Sequence, residues 1–186
     1  MTGTHCDQAV RLRDAAMICL LALVPMRRRA LSALTLGKSL LVESEQTVVC
    51  LDGSMTKNGQ PWEVVVPNAA REVLDIYLTI GRPALAACAA GNHLGVWLGR
   101  HGAHMNIGQF IRAIGNRTRE HLGVEVPPHF FRDAAATTLA RASSSSARMF
   151  KPVLGHSTTR IAEGHYILAD TISAGRQLAN VLDQFR

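Results

Sequence analysis

The sequence predicts an α+β fold, mainly α-helical with a small three-stranded antiparallel sheet, on three observations. The chain has 186 residues, 47% of them hydrophobic, which suffices for one real core and one domain. The segment from Gln8 to Val24 is helical and apolar nearly all round its second half, so it is expected to be buried on most sides. Downstream lie three short Val- and Leu-rich runs, Ser39–Val42, Thr47–Leu51 and Trp62–Val66, bounded by turn signals.

Met1 to Asp7 is polar, and residues 1–8 are expected to be loose. Pro25 stops the first helix, and Arg27-Arg28-Arg29 opens a short segment with Leu31 and Leu34 at helical spacing. Asp52-Gly53 and Asn58-Gly59 are strong turn dipeptides, which puts Lys57 at or beside the tip of a hairpin. Asn68 is expected to cap a helix running to Leu78, and Gly81 to His104 reads as loop with a short strand. Met105–His121 is an amphipathic helix on Ile107, Phe110, Ile111 and Ile114. Pro127-Pro128 precedes a helix from His129 to Ala142, and Ser143–Ser146 is a loop. Further helices are expected over Arg148–Leu154, Thr158–Leu168 and Ser173–Phe185.

Lys and Arg number 20 against 14 Asp and Glu, a net charge of +6, which suits a polyanionic partner. The four cysteines, Cys6, Cys19, Cys50 and Cys88, contain no CxxC pair and suggest neither a zinc site nor a disulfide framework. Cys19 and Cys50 read as small buried hydrophobes, and a reducing cytoplasm fits. The longest apolar stretch, Ala15 to Met26, is too short to span a bilayer and lies too far in to be a secretory signal. His101 and His104 form an HxxH without a carboxylate or cysteine at ligand spacing, so no metal is expected there.

Four segments carry chemistry: VPMRRRALSAL, SMTKNGQPWEVVVP, PPHFFRDAAATTLA and LGHSTTRIAEGHY. Together, and in this order, they resemble the catalytic domain of the tyrosine recombinases, the phage-integrase family. Arg27 stands at the end of the buried helix, where the family has its first arginine. Arg27-Arg28-Arg29 could also be read together as a solvated basic patch, and Arg27 is favoured for the role because it follows the buried helix as the motif demands. Lys57 stands where the family has a hairpin lysine, before a strand ending Val66-Pro67. His129 and Arg132 match the His-x-x-Arg that opens a helix after proline. His156 belongs to the Leu-Gly-His signature, and Tyr166 follows it by ten residues. The other tyrosine, Tyr77, lies in an earlier helix.

The resemblance implies the tyrosine recombinase catalytic-domain fold over residues 9–172, with 173–186 a C-terminal helix that can be exchanged between protomers. It implies site-specific DNA strand cleavage and rejoining through a 3′-phosphotyrosyl link, on double-stranded DNA and within a tetramer. It implies no metal, no cofactor, no small-molecule substrate and no membrane. The residue types suit that chemistry. Arginine stays charged and offers paired donors to phosphate oxygens, so Arg27 and Arg132 would clamp the scissile phosphate with His156 as a third donor. Preorganised donors of this kind are worth about 3–4 kcal/mol each. Tyr166, the expected nucleophile, has a reference pKa of about 10 and needs a proton acceptor, the role implied for His129. Lys57 would protonate the leaving 5′-oxygen.

Two departures bear on activity. The family carries an acid three residues after its first arginine; here that place is Ala30. Relatives also have an N-terminal core-binding domain that clamps the far side of the DNA, and the segment before Arg27 is too short to be one. The alternatives are a catalytically weak or inactive DNA-binding remnant of a mobile-element integrase, and a type IB topoisomerase-like enzyme. The Leu-Gly-His signature and small size favour the recombinase.

Overall fold

A helix begins at Gly3, five residues before the position where the sequence suggests one. The computed structural model describes residues 3–24, 26–89 and 93–142, with side chains within 5–138. Helix α1 spans Gly3–Leu23. The expectation of a loose 1–8 therefore fails from Gly3 onward. The cause is tertiary: Asp7 pairs with Arg100 at 2.6 Å, and the Cys6 thiol donates to the Arg100 carbonyl oxygen at 3.6 Å. Those partners lie far along the chain, so the polar composition of the segment gives no hint of them. One face of α1 is fully buried through Ala9, Arg13, Ala16, Met17, Leu20 and Leu21, the three-and-four spacing of a helix against a core.

Helix α2 follows at Arg28–Ser32, with Ala30, Leu31 and Ser32 buried. Strands β1 (Leu40–Val42), β2 (Thr47–Leu51) and β3 (Trp62–Val65) form the sheet in the order β1-β2-β3, both pairs antiparallel. The register aligns Leu40, Val49 and Val64, and on the other face Leu41, Val48 and Val65. Leu40 and Val49 are completely buried, whereas Val65 is 53% exposed, which identifies the first set as facing the core.

Helix α3, Asn68–Ile76, has Pro67 rather than Asn68 at its N-cap, and no side chain caps it. It does not stop near Leu78. It continues through a π-helical turn, Tyr77–Gly81, into α4, Arg82–Ala86, so part of the stretch expected to be loop is helical. A Cβ on Gly81 would sit 3.0 Å from the Tyr77 ring, 3.2 Å from the Leu12 Cβ and 3.3 Å from the Ala9 carbonyl oxygen. The widened turn thus lies where this helix packs closely on α1. Helix α5, Ile107–Leu122, opens with a reciprocal capping box between Asn106 and Gln109 and closes on Gly123 in the left-handed conformation. Its buried face carries Phe110 and Ile114, while Ile107, expected inside, is 37% exposed. Helix α6, Pro128–Ala142, starts on a proline, whose missing N–H is one that a helix start leaves unbonded anyway.

The chain divides into two compact units, Met1–Arg132 and Asp133–Arg186, with the division inside α6. The helices expected over 148–154, 158–168 and 173–186 lie outside the described residues. Among the described residues no helix is long and apolar enough to cross a membrane.

Three aromatics fill the centre of the first unit. The Trp97 ring stacks on Tyr77 with centroids 5.6 Å apart and meets Phe110 at 6.3 Å, separations typical of favourable aromatic pairs. The Tyr77 hydroxyl donates to the Val96 carbonyl oxygen at 2.8 Å and accepts from the Leu98 N–H at 3.2 Å. Burial pushes the Tyr77 phenol up to about 12. Tyr77→Phe should cost about 1–3 kcal/mol, because a buried backbone donor and acceptor lose their partner; urea denaturation measures it. The raised pKa adds a pH signature. Unfolded tyrosine releases its proton near about 10, so stability conferred by neutral Tyr77 is complete below that pH and is lost as pH climbs toward 12. The variant should show less of this alkaline decline.

Candidate active site

Arg27 occupies the N-cap of α2 with extended backbone, φ −68° and ψ 141°. Its carbonyl oxygen accepts from the Leu31 N–H at 3.0 Å, the first bond of the helix. The side chain is half-buried, while Arg28 and Arg29 are exposed. Among the described residues Arg27 makes no ion pair. A guanidinium whose charge is not already neutralised is what a phosphate site requires.

The far end of α2 is fixed by Trp97. Its indole Nε1 donates to the Leu31 carbonyl oxygen at 2.6 Å, one of the carbonyls that a helix end leaves without an intrahelical partner. Flanking backbone bonds hold the same seam: Leu36 N–H to Leu94 O and Val96 N–H to Leu34 O, both 2.8 Å.

Lys57 lies in the connection from β2 to β3, exposed and without an ion pair among the described residues. A short 3-10 turn, Gly53–Met55, begins this connection, capped by Asp52, whose carboxylate accepts from Ser54 and Met55. The Ser54 hydroxyl and N–H hold the Asp52 carboxyl below its ordinary range. Thr56 Oγ1 bonds the carbonyls of Gly53 at 3.2 Å and Gln60 at 2.7 Å. A Cβ on Gly53 would come within 2.4 Å of the Gly59 carbonyl oxygen, and Gly59 itself has φ +69°. Only glycine satisfies both demands.

His129 and Arg132 stand one turn apart at the start of α6. His129 is exposed, and its ring stacks on Phe130 at 4.7 Å; Arg132 is half-buried. The entry to α6 is set by α5: the Val126 N–H donates to Thr118 Oγ1 at 2.9 Å, and α5 also packs against α2. One helix thus supports both the Arg27 element and the His129 element. His156 and Tyr166 lie outside the described residues. Among the described residues no three His, Cys, Asp or Glu side chains could hold a metal together. Burial depresses the pKa of His104.

A family model described as the phage integrase family matches residues 2–171. The chain belongs to the phage integrase family, the tyrosine recombinases. Its fold matches solved structures of XerH site-specific recombinase. The post-cleavage complex with palindromic difH substrate aligns at a TM-score of 0.70 and 14% identity, covering 97% of this chain and 50% of that one. The pre-cleavage complex with difH aligns at 0.65 and 15% identity, covering 87% and 46%. XerA recombinase aligns at 0.65 and 17% identity, covering 100% and 62%. This family member therefore spans roughly half the length of the solved recombinases it matches. No curated protein matches it.

As an integrase-family domain, the chain shows two features of its own. Ala30, in the place of the usual acid, is 2% exposed, so the position is a packed part of the core and nothing charged faces Arg27 from it. Trp97 supports α2 from the opposite end, a contact that sequence reasoning missed because the residue sits in a glycine-rich stretch read as loop. Trp97→Phe should preserve the stacking but leave the Leu31 carbonyl with only the Leu34 N–H at 3.3 Å. The expected cost is about 0.5–1.5 kcal/mol, with faster hydrogen exchange at the Leu31 amide than at amides of α1.

Proposed function

We propose that this domain cleaves and rejoins double-stranded DNA at specific sites through a 3′-phosphotyrosyl intermediate. The observation that carries this is the phage-integrase family match over residues 2–171, joined by the positions of Arg27, Lys57, His129 and Arg132 on elements suited to their roles. Arg27 and Arg132 would bind the non-bridging oxygens of the scissile phosphate, and His156 would add a donor. Tyr166 would attack the phosphorus with His129 taking its proton. The P–O5′ bond would break as Lys57 delivers a proton to the leaving oxygen. The reverse attack by a 5′-hydroxyl would release Tyr166 and reseal the strand, so no metal or nucleotide is consumed. That Arg27 and Lys57 make no ion pair among the described residues supports this reading, since neither must abandon such a partner to reach DNA. A DNA-bound homotetramer and a cytoplasmic setting accompany the proposal.

A second reading, an inactive DNA-binding remnant, is favoured by one observation: the buried Ala30 supplies no acid to orient Arg27. Covalent trapping separates the two. Nicked suicide duplexes tiled across the DNA flanking its gene should yield a protein–DNA band on denaturing gels, absent for Tyr166→Phe. DNA binding without any band from the unmodified chain would sink the catalytic reading. Lys57→Ala should slow adduct formation by about 10²–10⁴-fold, the usual contribution of a general acid. A substrate with a 5′-phosphorothiolate leaving group, which needs no proton, should restore the rate.

A further inference from the structure

Phe130 is a large aromatic that the core does not use: it is 52% exposed. Its neighbour Phe131 packs against the core instead, and Pro128 before it is buried. The entry to α6 is therefore held without the Phe130 side chain. What that side chain does meet is the His129 imidazole, with ring centroids 4.7 Å apart and planes 30° from parallel, within the range of favourable aromatic pairs. Neighbouring residues of a helix do not face each other. The stack is thus made by two side chains leaning together in the first turn of α6, and the backbone does not impose it.

Among the described residues the His129 ring makes no hydrogen bond or ion pair. A proton-transferring histidine is commonly oriented through one of its nitrogens, by a carbonyl or a carboxylate. Here the contact is on the ring face. A face contact restricts the swing of the imidazole, yet both nitrogens lie in the ring plane and stay open. An imidazolium formed beside Phe130 would also lie against an aromatic face, a favourable place for a cation.

We infer that Phe130 is a positioning residue for His129, its ring fixing the imidazole plane so that a nitrogen is available to the Tyr166 hydroxyl. This rests on the proposed function, in which His129 takes the Tyr166 proton. Phe130 itself touches neither DNA nor the reacting atoms in this role.

The test compares the full chain with Phe130→Leu, which keeps an apolar side chain without the ring, and Phe130→Tyr, which keeps the ring. Proton NMR reads the stack directly, with the His129 ring signals assigned by their loss in His129→Asn. They should lie upfield in the unmodified chain and in Phe130→Tyr, and move downfield in Phe130→Leu. An unmodified chain without the upfield shift overturns the proposal. Covalent trapping on the nicked suicide duplexes then reads the consequence. Phe130→Leu should form adduct about three- to tenfold more slowly, the range over which one exposed aromatic pair can bias a geometry. Duplex affinity and thermal midpoint should stay unchanged, and Phe130→Tyr should recover the rate. The deficit should persist on the 5′-phosphorothiolate substrate, because it lies on the side of the nucleophile and not of the leaving oxygen. An unaltered rate in Phe130→Leu, a loss confined to duplex affinity, or recovery on the phosphorothiolate overturns the positioning role while leaving the cleavage reading intact. No adduct from the unmodified chain overturns the cleavage reading and this role with it.

Discussion

Trp97 is the constraint on which most of the first unit depends. It is wholly buried, stacked on Tyr77 and tilted against Phe110, so it joins the π-helical turn after α3 to the first turn of α5. Its single polar atom ends α2. The backbone on either side of it is bonded too, through the Tyr77 hydroxyl at Val96 and Leu98 and through the Arg13 guanidinium at Leu98. Position 97 is therefore where helix packing, a helix terminus and an irregular segment without a ladder of its own are all satisfied together. Such saturation is what lets a non-helical stretch lie inside a core.

Charge in this domain is sorted by whether it is already matched. The Arg13–Asp14–Arg117 group is buried and paired, an arrangement that costs several kcal/mol to break from one side, and it locks α1 to α5. Among the described residues Arg27 and Lys57 make no ion pair, and they are the positions proposed above for phosphate chemistry. A net charge of +6 suits a polyanionic partner without saying where it would bind.

Much of this was legible in the sequence, because the signals were local. Strand β2 falls at Thr47–Leu51 as its Val-rich run between turn signals indicates, and α5 follows the spacing of Phe110 and Ile114. The place of Lys57 followed from two turn dipeptides. What escaped was decided by distant partners. The first turn of α1 carries Cys6 and Asp7, which meet Arg100 far along the chain. The helix after Asn68 runs on to Ala86 because Gly81 lets it press against Ala9 and Leu12. Cys19, read as a buried hydrophobe, is only half-buried. Of the six expected site residues, four stand on described elements; His156 and Tyr166 were assigned through the Leu-Gly-His signature, a pattern of chemistry that packing does not report.

The connection that carries Lys57 acts as a stiff lever. Thr56 is tied to both limbs through Gly53 and Gln60, the Gln60 N–H leans on Asn58, and the two glycine backbones nearly touch. The loop has little internal slack. Any excursion of the Lys57 amine larger than the sweep of its own side chain must come from tilting the whole tip about the ends of β2 and β3. On the role proposed for Lys57, timing of proton delivery to a leaving oxygen would be governed by the pivot at Leu51 and Trp62, some distance from the lysine itself.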